Sequence, residues 1–137
     1  MEKLLEQGVS ISLGKQNYAT QIQARTHKLV ADEPLKAGGT DTGFAPYELL
    51  LAGLGSCTAI TMRMYADRKE WDLQHIDVKL NMEQETTTTG KHTVFSREIK
   101  LTGNLDDKQK ERLLSIAKQC PVAKILNGQI EINSRLV

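Results

Sequence analysis

Aromatic residues are scarce in this chain: Trp71, three tyrosines and two phenylalanines among 137 residues. A stacking surface for single-stranded nucleic acid needs several exposed rings, so that function is excluded. An excess of charge of one sign is also missing, since 18 Lys and Arg stand against 17 Asp and Glu for a formal +1. Neither a phosphate-binding face nor an acidic disordered tail follows from that balance. The opening residues, MEKLLEQGVS, carry acidic positions and no continuous apolar run, unlike a secretory leader. No later stretch approaches the roughly 20 apolar residues of a membrane span. The expected compartment is therefore the cytosol, with neither membrane nor nucleic acid as a partner. Cysteines number only two, Cys57 and Cys120. In a reducing compartment they read as free thiols, metal ligands or redox catalysts rather than a permanent staple.

What the chain does have suits one soluble domain over residues 1–137, with 39% hydrophobic and 26% charged residues. Val9, Ile11 and Leu13 alternate with polar or small residues, Gly14 and Asn17 mark a turn, and Tyr18 to Arg25 alternates again, which predicts a hairpin. A third strand is expected from His27 to Ala31. DEPLKAGGTDTG, residues 32–43, has the composition of a turn-rich loop. Pro46 suits the first position of a helix, where its missing N–H costs nothing. That helix is expected to run to about Lys69, with Leu50, Leu54, Cys57, Thr61 and Met64 on its apolar face. Gly53, Gly55 and Ser56 weaken its helix propensity, by roughly 0.5–1 kcal/mol for each glycine, so packing or function must offset them.

Ile76, Val78, Leu80 and Met82 alternate as a half-buried strand, followed by a polar loop, EQETTTTGKH. Phe95, Ile99 and Leu101 mark the next strand, with Arg97 on the same parity as these apolar residues. Asp106 and Gln109 have the spacing of a capping box. The helix they open turns Leu113, Ile116, Ala117 and Cys120 to one side. Pro121 restarts a short helix with Cys120 at its edge, and Ile130, Ile132 and Leu136 are expected to close the chain as a strand. The order is βββ-α-ββ-α-α-β, an α+β fold with helices against antiparallel sheet.

Two cysteines this far apart form no C-x-x-C motif and cannot fill a tetrahedral metal shell. His27, His75 and His92 lack ligand spacing, so no metal and no other cofactor is expected. A free cysteine is often simply a small buried hydrophobe. Cys120 has the stronger claim to a functional thiol, because a helix N-terminus favours the thiolate.

GFAPYELLLAGLGSC, ending at Cys57, continues into TAITMRMYADRK, and LLSIAKQCPVAKIL surrounds Cys120. These two cysteine-centred motifs, in this order, resemble the OsmC/Ohr family, the osmotically inducible and organic hydroperoxide resistance proteins, in its OsmC-like branch. The resemblance extends over essentially the whole chain. It implies an intertwined homodimer with the active site near the subunit interface, and a thiol peroxidase acting on organic hydroperoxides. By that resemblance Cys57 is the peroxidatic thiol, oxidised to a sulfenic acid, and Cys120 the resolving thiol that converts it to a disulfide. The reductant would be a lipoyl protein or a thioredoxin-type dithiol. A cation must favour the thiolate of a buried thiol, since burial alone opposes it. Arg25 is the best match to the family's activating arginine, with Arg97 as the runner-up.

The family's arginine-orienting glutamate falls where this chain has Tyr47. Glu48 stands one residue later, and at about 100° per residue that shift turns its carboxylate away from Cys57. Glu48 is alternatively suited to the positive N-terminus of the helix. The rival reading of the whole chain is a non-catalytic OsmC-like binding protein holding a small apolar ligand at the dimer interface.

Overall fold

The computed structural model describes every residue from Met1 to Val137. The chain divides into two compact units, Met1–Leu50 and Leu51–Val137.

In the first unit, β1 (Ser10–Ser12), β2 (Thr20–Ala24) and β3 (His27–Ala31) form an antiparallel sheet in the order β1-β2-β3. The hairpin expected from the alternation is present, with Ile11 opposite Ile22 and Ile22 opposite Leu29. Ala24 pairs with His27, so Arg25 and Thr26 make the tight turn, and Arg25 adopts φ 56. The loop that follows is organised by Asp32, which is 2% exposed. Its carboxylate accepts the backbone N–H of Tyr18 (3.1 Å), Glu33 (2.7 Å), Thr40 (3.3 Å) and Thr42 (3.1 Å). The hydroxyls of Thr40 and Thr42 also donate to it. The Thr40 hydroxyl foremost, against the opposing effect of burial, and then Thr42 and the backbone donors hold its carboxyl far below the usual carboxylate range. Gly39 and Gly43 complete the loop, since a Cβ at either would overlap the carbonyl of Glu33 or Val30.

Helix α1 (Pro46–Arg68) begins at the expected proline. Its buried positions are Leu54, Gly55, Thr58, Met62, Tyr65 and Ala66. This corrects the expected stripe: Cys57 lies at its edge, and Leu50 and Met64 are exposed. The helix carries apolar residues all round, so periodicity alone does not choose a face. It is 23 residues long, and its most apolar stretch of 18 residues has a mean hydropathy of 1.3, long and apolar enough to cross a membrane by length and composition. That corrects the expectation that no stretch approaches this size, because its glycines, serine and threonines interrupt the apolar letters. A core helix of a soluble protein passes the same test, and 33% of its most apolar window is buried within the protein.

The second unit pairs β4 (Asp72–Thr87) with β5 (Gly90–Asn104) as one long antiparallel hairpin. The residues expected to form a polar loop are strand on both sides, with Glu83 opposite Val94 and Thr87 opposite Gly90. Threonine is β-branched and favours extended backbone, so the run at 86–89 lengthens the ribbon and leaves only Thr88 and Thr89 to turn. Asp106 caps α2 (Asp107–Ala117) in the expected reciprocal box with Gln109. Cys120 caps α3 (Pro121–Asn127). Met62, Ala66, Leu113 and Ala117 are fully buried in the main core, flanked by Ile76, Val78, Ile99 and Leu101 from the hairpin.

The closing strand is absent. Residues 129–137 take no regular structure, and Ile130 and Ile132 are 58% and 85% exposed. Alternation makes a strand only where another strand offers its hydrogen-bonding edge, and none in this chain is paired with the segment.

Candidate thiol site

A second, smaller core contains Leu54, Cys120 and Ala123, with Cys57, Leu80, Phe95, Val122 and Leu126 packed against it. Gly55 lets this contact form, because its missing Cβ makes room for Leu80. Cys57 and Cys120, far apart in sequence, meet here as free thiols in one small core. Cys57 is half-buried, whereas Cys120 is completely buried. A reagent therefore has surface to reach at Cys57 and none at Cys120.

Cys120 owes its position to Pro121, which ends one helix and begins the next. Its sulfur accepts the Ala123 N–H at 3.3 Å. Thr58, fully buried on α1, places its hydroxyl 3.9 Å from the same sulfur and donates to the Leu54 carbonyl at 2.7 Å. Arg97 enters from β5. Its Nη1 donates to Thr58 Oγ1 at 2.9 Å and to the Ala117 carbonyl at 3.1 Å. Burial pushes the Cys120 thiol up, but the Ala123 N–H, Cys57, Thr58 and the charge of Arg97 together bring it below the ordinary thiol value.

A cleft of about 390 Å³ adjoins this core, lined by Leu54, Val94, Phe95, Ala123 and Leu126, with Arg97, His92, Thr93 and Asn127 as its polar groups. Arg97 thus belongs to both the cleft and the hydrogen-bond network around Cys120. Its parity with the apolar residues of β5 signals that placement. Thr58, by contrast, reads in the sequence as one polar letter in a helix of small residues, and nothing there marks it as part of the site.

Arg25 occupies the β2–β3 turn of the first unit and is exposed. Glu48 accepts the Ala45 N–H at 2.8 Å and so caps the start of α1, as its suitability for the helix terminus implies.

A pair of adjacent thiols on an α+β frame of long hairpin and helices defines the architectural class. Residues 39–135 match the family model described as OsmC-like protein, and the chain belongs to that family. Among solved structures it is similar to an OsmC-like protein from Mycoplasma pneumoniae, with 20% identity, 93% of this chain and 90% of that one covered, and a TM-score of 0.76. It is also similar to an organic hydroperoxide resistance protein from Legionella pneumophila, also described as a predicted redox protein, with 21% identity, 93% of each chain covered and a TM-score of 0.69. The organic hydroperoxide resistance protein OhrB of Bacillus subtilis has 19% identity, 92% of this chain and 93% of that one covered, and a TM-score of 0.65. At these identities the likeness is one of fold. No curated protein matches the sequence.

Proposed function

We propose that this protein is a thiol-dependent peroxidase that reduces organic hydroperoxides. The observation that carries this reading is the packing of a half-buried Cys57 and a buried Cys120 into one small apolar core. Cys57 sulfur attacks the terminal oxygen of the hydroperoxide; an S–O bond forms, the O–O bond breaks and the alcohol leaves after protonation. Cys120 then attacks the sulfenic sulfur, forming the S–S bond as the hydroxyl departs as water. A lipoyl-protein or thioredoxin-type dithiol restores both thiols by exchange. Arg25 is assigned the charge that favours the Cys57 thiolate, and Glu48 a supporting role at the start of α1.

The protein works as a cytoplasmic homodimer in this reading. Exposed Ile60 and Met64 on α1, and Ile130 and Ile132 in the unpaired closing segment, support self-association. The non-catalytic binder remains the second reading, favoured by the apolar wall that Leu54, Val94, Phe95, Ala123 and Leu126 give the cleft.

One experiment separates the two. With cumene hydroperoxide and a dithiol reductant, wild type consumes peroxide and Cys57→Ser does not. Cys120→Ser undergoes one oxidation and accumulates Cys57 sulfenic or higher acid, read by mass spectrometry. Thiol loss no faster than that of free cysteine, or equal consumption by Cys57→Ser, would establish the binder in its place. Reduced wild type should sediment at twice the 15.3 kDa of one chain.

A further inference from the structure

The charge of Arg97 has no carboxylate partner. The ion pairs of the protein join Arg63 to Asp67, His75 to Asp77 and His92 to Glu85. Arg97 is half-buried on the inward face of β5, between Phe95 and Ile99. A cation so placed is costly until a counterion reaches it.

Its hydrogen bonds show which part of the guanidinium is still free. Nη1 donates to Thr58 Oγ1 at 2.9 Å and to the Ala117 carbonyl at 3.1 Å, which occupies both its N–H groups with neutral oxygens. Nη1 lies on the Cδ side of the planar group, so Nε and Nη2 share the opposite edge and turn two parallel N–H groups the same way. No buried side-chain nitrogen or oxygen in the protein lacks a hydrogen-bond partner, so this unbonded edge is not sealed in the core. Arg97 lines the cleft of about 390 Å³, together with Leu54, Val94, Phe95, Ala123 and Leu126. No acidic side chain lines it, and its one other titratable residue, His92, has its Nδ1 on Glu85 at 3.1 Å. The cleft therefore offers an apolar wall and one uncompensated, rigidly held positive charge.

We propose that this cleft is a binding site for a medium-chain carboxylic acid, with the carboxylate on the free edge of Arg97 and the alkyl chain against Leu54, Phe95 and Leu126. A carboxylate accepts two parallel N–H groups at once and carries the single negative charge that one arginine balances. A phosphate monoester carries about −1.5 to −2, more than this single cation offsets. At the ~30 Å³ that a water molecule occupies, the cleft holds roughly a dozen heavy atoms, the size of an acid of eight to ten carbons. Thr58 and the Ala117 carbonyl are positioning groups, since they hold Nη1 and so fix the direction of the free edge. The site requires no reaction at either thiol and stands apart from the peroxidase reading.

The test is calorimetric titration of the reduced protein at neutral pH with octanoate, 1-octanol, octylammonium and octyl phosphate. Octanoate should bind once per chain and about 10-fold or more tighter than octanol, the scale of a charge-assisted hydrogen bond. Octyl phosphate should bind more weakly than octanoate, and octylammonium not at all. Arg97→Met should bring octanoate down to the affinity of octanol. Arg97→Lys should keep a smaller preference for octanoate, because lysine retains the charge and lacks the fork. Circular dichroism checks that each variant is folded, and the comparison of ligands on wild type decides the question without the variants. Octanol binding wild type as tightly as octanoate, or an octanoate preference undiminished in Arg97→Met, overturns the site. Octyl phosphate binding tighter than octanoate overturns the choice of carboxylate. A protein that prefers octanoate and consumes no hydroperoxide keeps this site and loses the peroxidase reading; one that consumes hydroperoxide and shows no preference keeps that reading and loses the site.

Discussion

Replacing Gly53 or Gly55 with alanine separates helix propensity from packing within one helix. Both lie inside α1, so each substitution gains about 0.8–1 kcal/mol of intrinsic helix stability. At Gly53 the added methyl meets nothing within 4 Å. At Gly55 it falls 2.6 Å from Leu80 Cδ1, with Cδ2 and Cγ at 3.7 and 3.8 Å. Only the far methyl obstructs, and it must retreat to the ~3.5–4.0 Å at which carbons pack. Overpacking costs about 1–3 kcal/mol, and the mobility of a leucine tip puts this case near the lower end. The two effects then nearly cancel at Gly55, whereas Gly53→Ala keeps its gain. A difference of about 1 kcal/mol follows, or roughly 0.5 M in urea midpoint at a slope of about 2 kcal/mol per M. Leu80 and Cys57 also pack against the same small core around Cys120, so Gly55→Ala should slow Cys57 oxidation, and Gly53→Ala should not. Equal urea midpoints for the two variants would refute the packing argument.

Arg25→Met should slow the alkylation of Cys57 by iodoacetamide at neutral pH without altering the circular dichroism spectrum; an unchanged rate would show that Arg25 has no part in activating the thiol. The carboxyl of Asp32 is depressed in the folded state, so its contribution to stability is fully present above the unfolded value of about 3.9 and is lost as pH falls below it. Asp32→Asn should accordingly lower the urea midpoint at neutral pH and flatten its decline below about pH 4, whereas an unchanged acid limb would remove Asp32 as the anchor of its loop.

The parts of the fold legible in the sequence are those governed by local chemistry. The box of Asp106 and Gln109, the helix starts at Pro46 and Pro121, and the first hairpin depend on residues close to one another in the chain. The buried face of α1 was not legible, because a helix apolar on all sides is oriented by what it packs against. Nor was the outer half of the long hairpin, where threonine and charge read as loop until a partner strand supplies the ladder. Ile130 and Ile132 show the converse: alternation without a partner. At the site, both cysteines and the odd parity of Arg97 were visible, but their meeting was not. It depends on Gly55 admitting Leu80 and on Pro121 turning the chain, and Thr58 acquires its role only once those contacts exist.

The long β4–β5 ribbon also bears on the order in which the molecule assembles. Its two strands are joined by only Thr88 and Thr89, so pairing can begin at the turn and zip toward Asp72 and Asn104 with little loop-closure entropy. The thiols stand on either side of this ribbon in the chain, Cys57 before it and Cys120 after it. Their encounter must wait until α1 and α3 have both docked on the strand faces, which makes the thiol pair a late product of folding. A nascent chain passes through its early stages with the cysteines apart, protected from premature coupling by distance alone.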